Sequence, residues 1–225
     1  MHPVRRTPLQ GNGKRETFLT RDTLFTLLRD GIVHVVSENY DYKTEPYYTI
    51  LNYESQGIEV RPSSRAVLDA YVVPICLERA ERAGIRVCEW GISQGYVPLP
   101  AIIYGLNYFA TTSDLFLVRD AMNAREVIKH VTNKGKYPFC YQKLPEEREI
   151  HTCPAIFGKT VKSCSRVADI ADRIYDIFGI PLVRMTMVRT GNEFALSSLS
   201  PMPYSQMSEG ERSVLSAHLR HQEFL

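Results

Sequence analysis

No apolar run in the sequence approaches the roughly eighteen residues that cross a bilayer, and the opening MHPVRRTPLQGNGKR lacks the apolar stretch a secretory signal needs. A cytoplasmic protein is the expectation. Cysteine is sparse and odd in number: Cys76, Cys88, Cys140, Cys153 and Cys164, with no two at the short spacing of a zinc knuckle or a redox pair. They read as free thiols in a reducing compartment. Charge of one sign is also lacking, because 27 basic and 25 acidic side chains leave a net charge of +2. Nucleic acid is therefore not an obligatory partner on charge alone, and any basic patch must be local. No internal repeat is present.

What the chain does have is enough apolar material, 44% of 225 residues, to bury one large core or two small ones. Residues 1–18 carry scattered proline and glycine with Arg5, Arg6, Lys14 and Arg15, and read as a flexible basic arm. Thr20 is placed to cap a short helix through Leu24, Phe25, Leu27 and Leu28 before Gly31, and residues 32–36 form a β-branched strand. Glu45-Pro46 opens a helix over 47–55, closed by Gly57 and followed by a strand over 58–60. Ser63 or Ser64 caps a long helix running to Gly84, with Pro74 forcing a kink or break near 70–73, and a third strand follows at 85–87. This alternation predicts an α/β protein whose N-terminal half, residues 19–100, is a Rossmann-like parallel three-layer subdomain. The turn after its first strand, Ser37-Glu38-Asn39-Tyr40-Asp41, has no glycines, so dinucleotide binding there is not expected.

Residues 101–225 predict a smaller α+β half with antiparallel hairpins. A helix spans 120–132, residues 139–144 and 150–157 read as a paired hairpin, and Ser165 caps a helix that Gly179 stops. A second hairpin joins 185–188 to 194–199 through Thr190-Gly191-Asn192, and Ser208 caps a last helix to about His221.

Two stretches carry a resemblance. Tyr47, Tyr48, Leu51, Glu54, Gly57, Pro62 and Ser63, then Phe157, Gly158, Lys159, Thr160, Ile174, Phe178, Pro181, Leu182, Ser200, Pro201, Leu215 and Leu219, stand in the order of a family motif. In these residues the chain resembles the RimK-like ATP-grasp N-terminal domain family, over roughly half its length; residues 86–149 show no match. The last segment also looks like the closing fragment of ATP-grasp ligases, in which a hairpin strand supplies Glu-x-Asn as magnesium ligands and a glycine-rich lid lies between two phosphate-clamping lysines. Here the strand reads Leu196-Ser197-Ser198-Leu199-Ser200, and no such lid is recognisable. Magnesium prefers anionic oxygen, so the resemblance implies a degenerate, non-catalytic relative, a pseudoenzyme, with no cofactor and no metal. The implied role is to present a substrate or a protein partner, such as an ATP-grasp ligase, as a stand-alone module.

No catalytic residue is identified. Glu38, Asn39, Asp41 and Glu45 follow the first strand, at the edge where open α/β sheets bind ligands, and are the candidate ligand site. Set against that is a plain strand-to-helix loop. Lys129, His130, Lys134, Lys136 and Lys143, interleaved with Tyr137, Phe139 and Tyr141, suit phosphate contact and base stacking. With Arg5, Arg6, Lys14 and Arg15 they define the alternative function, an RNA- or ribosome-associated protein, against the plainer reading of a solvated helix end. His151 and Cys153 alternate on one expected strand with Cys140 opposite, a Cys-His arrangement that reads more simply as packing.

Overall fold

The computed structural model describes residues 24–107, 109–220 and 222–225. The basic arm expected over 1–18, with Arg5, Arg6, Lys14 and Arg15, lies outside these residues, as does His221.

The described residues open with a strand where the spacing of Leu24, Phe25, Leu27 and Leu28 predicts a helix; its expected cap, Thr20, lies outside them. β1 (Phe25–Arg29) pairs antiparallel with β2 (Ile32–Val36), and Arg29 faces Ile32 across a two-residue turn. That turn is Asp30-Gly31, both with positive φ (52° and 78°), which matches the right-handed twist of a hairpin and fixes the register locally. α1 (Glu45–Ser55) carries Pro46 in its first turn, and β3 (Val60–Arg61) lies parallel to β2. The predicted break falls at Val72. It ends α2 (Ser64–Tyr71), whose first turn Ser63 caps, and precedes α3 (Val73–Arg82), which carries Pro74 in its first turn, where a missing N–H costs nothing.

The expected third parallel strand over 85–87 is not formed, and Val87 makes only an isolated bridge. Only β2 and β3 are parallel in the first sheet, because Val87 bridges Leu196 and the Leu196 N–H donates to the Arg86 carbonyl at 2.8 Å in a different sheet. The Rossmann-like parallel three-layer arrangement is thus not formed; the architecture is a mixed α/β one.

The second sheet consists of β4 (Trp90–Ser93), β5 (Ala101–Gly105), β6 (Leu115–Val118) and, after α4 (Ala121–Val131), β7 (Phe139–Lys143), in the order β4-β7-β5-β6. Asp120 caps α4 through the N–H groups of Met122 and Asn123. The third sheet has β8 (Glu149–Ile156), then, beyond α5 (Ser165–Phe178), β9 (Leu182–Thr190) and β10 (Glu193–Ser200), with β9 central. The hairpin expected between β7 and β8 is therefore absent. Both edges of β7 are already hydrogen-bonded to β4 and β5, so β8 pairs with β9. The second expected hairpin, β9 to β10, is formed. α6 (Glu209–Leu219) opens with a reciprocal Ser208/Glu211 cap, and β11 (Glu223–Phe224) returns to the free edge of β1.

The main core joins Val33, Val35 and Ile50 to Ile174, Met185 and Leu199, residues from both sides of position 100. Smaller cores fill the two faces of the second sheet and the space under α6. Among the described residues no helix is long and apolar enough to cross a membrane.

Candidate functional site at the junction of two sheets

β5 and β7 pair with Ile102 opposite Gln142 and Tyr104 opposite Cys140, so Tyr104 and Gln142 share the face of the second sheet that looks toward β10. β10 meets them with an irregularity. Its register against β9 shifts between Leu196 and Ser198, leaving Ser197 as an extra residue, and a bulge of this kind re-aims side chains. Both serines thereby reach one phenol. The Tyr104 hydroxyl donates to Ser198 Oγ at 3.1 Å and shares a hydrogen bond with Ser197 Oγ at 2.8 Å, while Gln142 Nε2 donates to the Ser197 carbonyl at 2.8 Å.

Tyr104 is 1% exposed, and Gln142, Ser197 and Ser198 are 0% exposed. Burial pushes the Tyr104 phenol up to about 12, with the two serine hydrogen bonds pulling the other way. The neighbouring thiols Cys76 and Cys140 are each pushed up to about 12 by burial. At neutral pH the junction is thus an uncharged network of three hydroxyls and an amide, with Gln142 Oε1 buried and without a partner. It can lock two sheets together, but it holds no thiolate or carboxylate to act as nucleophile or base.

The residues expected to form a ligand site after the first strand each have contacts within the chain. Glu38 is buried, and its carboxylate accepts the Tyr204 N–H at 2.9 Å while its carbonyl accepts the Met202 N–H at 3.2 Å. It anchors the segment that follows β10. Asn39 accepts the Asp41 N–H at 2.8 Å, the Asp41 carbonyl accepts the Thr44 hydroxyl at 2.7 Å, and Glu45 lies exposed in the first turn of α1. Tyr40 is buried, donating to the Val35 carbonyl at 3.0 Å, while Tyr42 and Tyr48 are exposed.

Lys129, His130, Lys134 and Lys136 stay together around the end of α4 and the turn after it, all exposed. Four N–H groups of the turn are already spent. Those of Asn133, Lys134 and Tyr137 bond the carbonyls of His130, Lys129 and Thr132, and that of Gly135 bonds the Thr132 hydroxyl. Beside this turn a cavity of about 390 Å³ is lined by Asn107, Asp114, Phe116, His130, Asn133 and Tyr137, among others. Lys143 belongs elsewhere: it faces Ala101 at the far end of β7 from the Phe139–Gly105 pair, about 13 Å along the strand, and pairs with Glu89 at 3.2 Å. His151 bonds Glu149 at 2.9 Å, and Cys153, whose thiol burial pushes up to about 11, donates to its neighbour's carbonyl. Cys140 is in the other sheet, so it does not complete a Cys-His pair.

No family model and no curated protein matches the sequence. Solved structures do match. A RimK-domain ATP-grasp protein from Sphaerobacter thermophilus covers 76% of this chain and 74% of its own, at 14% identity and a TM-score of 0.56. The fold is ATP-grasp-related. The D-alanine–D-alanine ligase of Bacillus anthracis covers 74% of this chain and 69% of its own, at 14% identity and a TM-score of 0.57. The ATP-grasp ligase PsnB, solved with a phosphomimetic variant of its minimal precursor, Mg and ADP, has 15% identity and a TM-score of 0.53. That match covers 76% of this chain, which spans 65% of the PsnB chain. The likeness takes in more of the chain than the two stretches in which the sequence resemblance was legible.

The neighbour PsnB was solved with Mg and ADP, and residues 196–200 of β10 in this chain offer no anionic oxygen to a magnesium ion. The strand that the sequence resemblance sets against the metal-bearing hairpin is β10, and its Ser197 and Ser198 are buried and hydrogen-bonded to Tyr104. Magnesium holds anionic oxygen in octahedral geometry and gives up its water reluctantly. Among the described residues no three His, Cys, Asp or Glu side chains stand close enough together to hold a metal ion. Tyr104 and Gln142 are the residues sequence reasoning did not single out. A tyrosine in the otherwise apolar run Ala101–Gly105 was the available signal, since a buried phenol needs a partner.

Proposed function

We propose that this chain is a non-catalytic accessory module on an ATP-grasp-related fold, which acts in the cytoplasm by presenting a substrate or binding a protein partner. The observation that carries this reading is the Tyr104–Ser197–Ser198–Gln142 network, in which neutral hydroxyls are buried and spent on joining two sheets. Calorimetric titration of the full chain with ATP in the presence of magnesium tests it, together with an assay of ATP hydrolysis. The expected result is no magnesium-dependent binding and no turnover. Magnesium-dependent ATP binding that Ser198→Ala weakens overturns the reading.

A second reading, an RNA- or ribosome-associated protein, is favoured by the exposed Lys129, His130, Lys134 and Lys136 beside a cavity that Phe116 and Tyr137 line. Those groups suit a stacked base with a nearby phosphate. Its signature is an affinity for structured RNA that falls steeply with salt and that charge reversal at Lys134 and Lys136 abolishes. No salt-dependent affinity removes it.

A further inference from the structure

Buried polar atoms without a partner are uncommon and call for an explanation. His34 is 6% exposed, and its Nδ1 meets no donor or acceptor among the described residues. It sits in the middle of β2, opposite Leu27 of β1 on one side and Arg61 of β3 on the other. Alternation along β1 puts Arg29, two residues beyond Leu27, on the same face.

The end of α5 covers that face. A Cβ at Gly179 would lie 3.7 Å from Cβ, Cγ and Cδ of Arg61, so the aliphatic stem of the arginine lies against the helix end. Tyr175, one turn earlier, packs its ring against Phe157 at 6.0 Å. Arg29 and Arg61 both act electrostatically on His34 and on Tyr175, which places all four groups in one region.

Charges of both signs surround that region. Asp30 pairs with Arg29 at 3.6 Å, and Asp176 stands near Tyr175, but Arg61 forms no ion pair among the described residues. From α6, His218 stacks on Phe157 at 4.8 Å and spends its Nδ1 on the Val214 carbonyl at 3.0 Å. A hollow lined by Arg29, Asp30, His218 and Gln222 opens beside Arg29.

We propose that Arg29, His34, Arg61 and Tyr175 form a binding site for a phosphate group. Two guanidinium forks, an imidazole and a phenol supply donors from several directions, which suits a tetrahedral oxyanion; a planar carboxylate needs only one fork. The proposal also explains the orphaned imidazole. Burial and the two arginines lower the pKa of His34 in the free chain, and a bound dianion reverses that balance. Binding then takes up a proton, and the histidine becomes a second cationic donor.

The test is calorimetric titration of the full chain with inorganic phosphate at fixed ionic strength, at pH 6 and pH 8, alongside NMR of the histidine ring resonances. Expected are saturable binding that tightens toward pH 6, a shift of the His34 signals, and an affinity about tenfold weaker in Arg61→Gln, an exposed residue whose change leaves the core intact. Tyr175→Phe weakens binding by a smaller factor, and in His34→Gln the tightening toward pH 6 is lost, leaving only the pH dependence of phosphate's own second ionisation. Methyl phosphate separates the sources: competition at the same residues identifies the phosphoryl end of a larger ligand, and failure to compete identifies the free anion. The proposal is overturned if phosphate moves the His34 signals no more than chloride at equal ionic strength. It is equally overturned if Arg61→Gln binds phosphate as tightly as the native chain.

Discussion

Replacing Tyr104 with phenylalanine deletes one oxygen from the junction between the second and third sheets and leaves its volume nearly unchanged. The phenol has one proton. It donates this to Ser198 at 3.1 Å and is free to accept from Ser197 at 2.8 Å. Both serines are 0% exposed, so neither recovers a hydrogen bond from water when the phenol goes. Stranding a buried polar group costs about 1–3 kcal/mol, and the two serines can partly compensate by bonding to each other, so the expected loss is about 2 kcal/mol. Equilibrium denaturation of Tyr104→Phe, Ser197→Ala with Ser198→Ala, and the triple variant measures this as a thermodynamic cycle. The triple variant should regain part of the loss, because no buried hydroxyl is then left without a partner, giving a coupling of about 1–2 kcal/mol. A loss below about 0.5 kcal/mol with no coupling would refute the view that this network holds the sheets together.

Alkaline pH should weaken the fold earlier than its exposed tyrosines alone would require. Cys76 and Cys140 are raised from 9.0 to about 12 and Tyr104 from 10.0 to about 12, so the unfolded chain loses these protons first. Stability is then present below pH 9 and falls between about 9 and 12, by about 1.4 kcal/mol per pH unit for each fully buried group; denaturation midpoints across that range, with Cys140→Ala flattening the slope, check it. Gly158→Ala should cost about 2 kcal/mol or more by thermal melting, because the residue has φ +74° and a Cβ would stand 2.9 Å from Tyr175 Cβ and 3.2 Å from Asp172 Cα. A thiol reagent should label exposed Cys164 in the native chain and reach buried Cys76 and Cys140 only after denaturant is added, as peptide mapping would reveal.

Local signals in the sequence determined several elements outright. Pro46 and Pro74 marked first turns of helices, the break between α2 and α3 fell at Val72, and Gly179 ended α5 with φ +64°, all from chemistry confined to a few neighbouring residues. The hydroxyl-bearing strand at 196–200 was legible in the same way. What tertiary structure decided was partnership. Leu24 to Leu28 satisfy a helical period and a strand period alike, and the Asp30-Gly31 turn with β2 beside it selected the strand. Residues 85–87 and β8 both read as strands by composition, but 85–87 keep only a single bridge from Val87 to Leu196, and the sheet that received β8 depended on which edges were already filled. Hydrogen bonds between strands are set by what lies alongside in space. Spacing along the chain therefore could not show that Tyr104 lies over Ser197 and Ser198, or that His34 stands between Leu27 and Arg61 with a buried nitrogen unmatched.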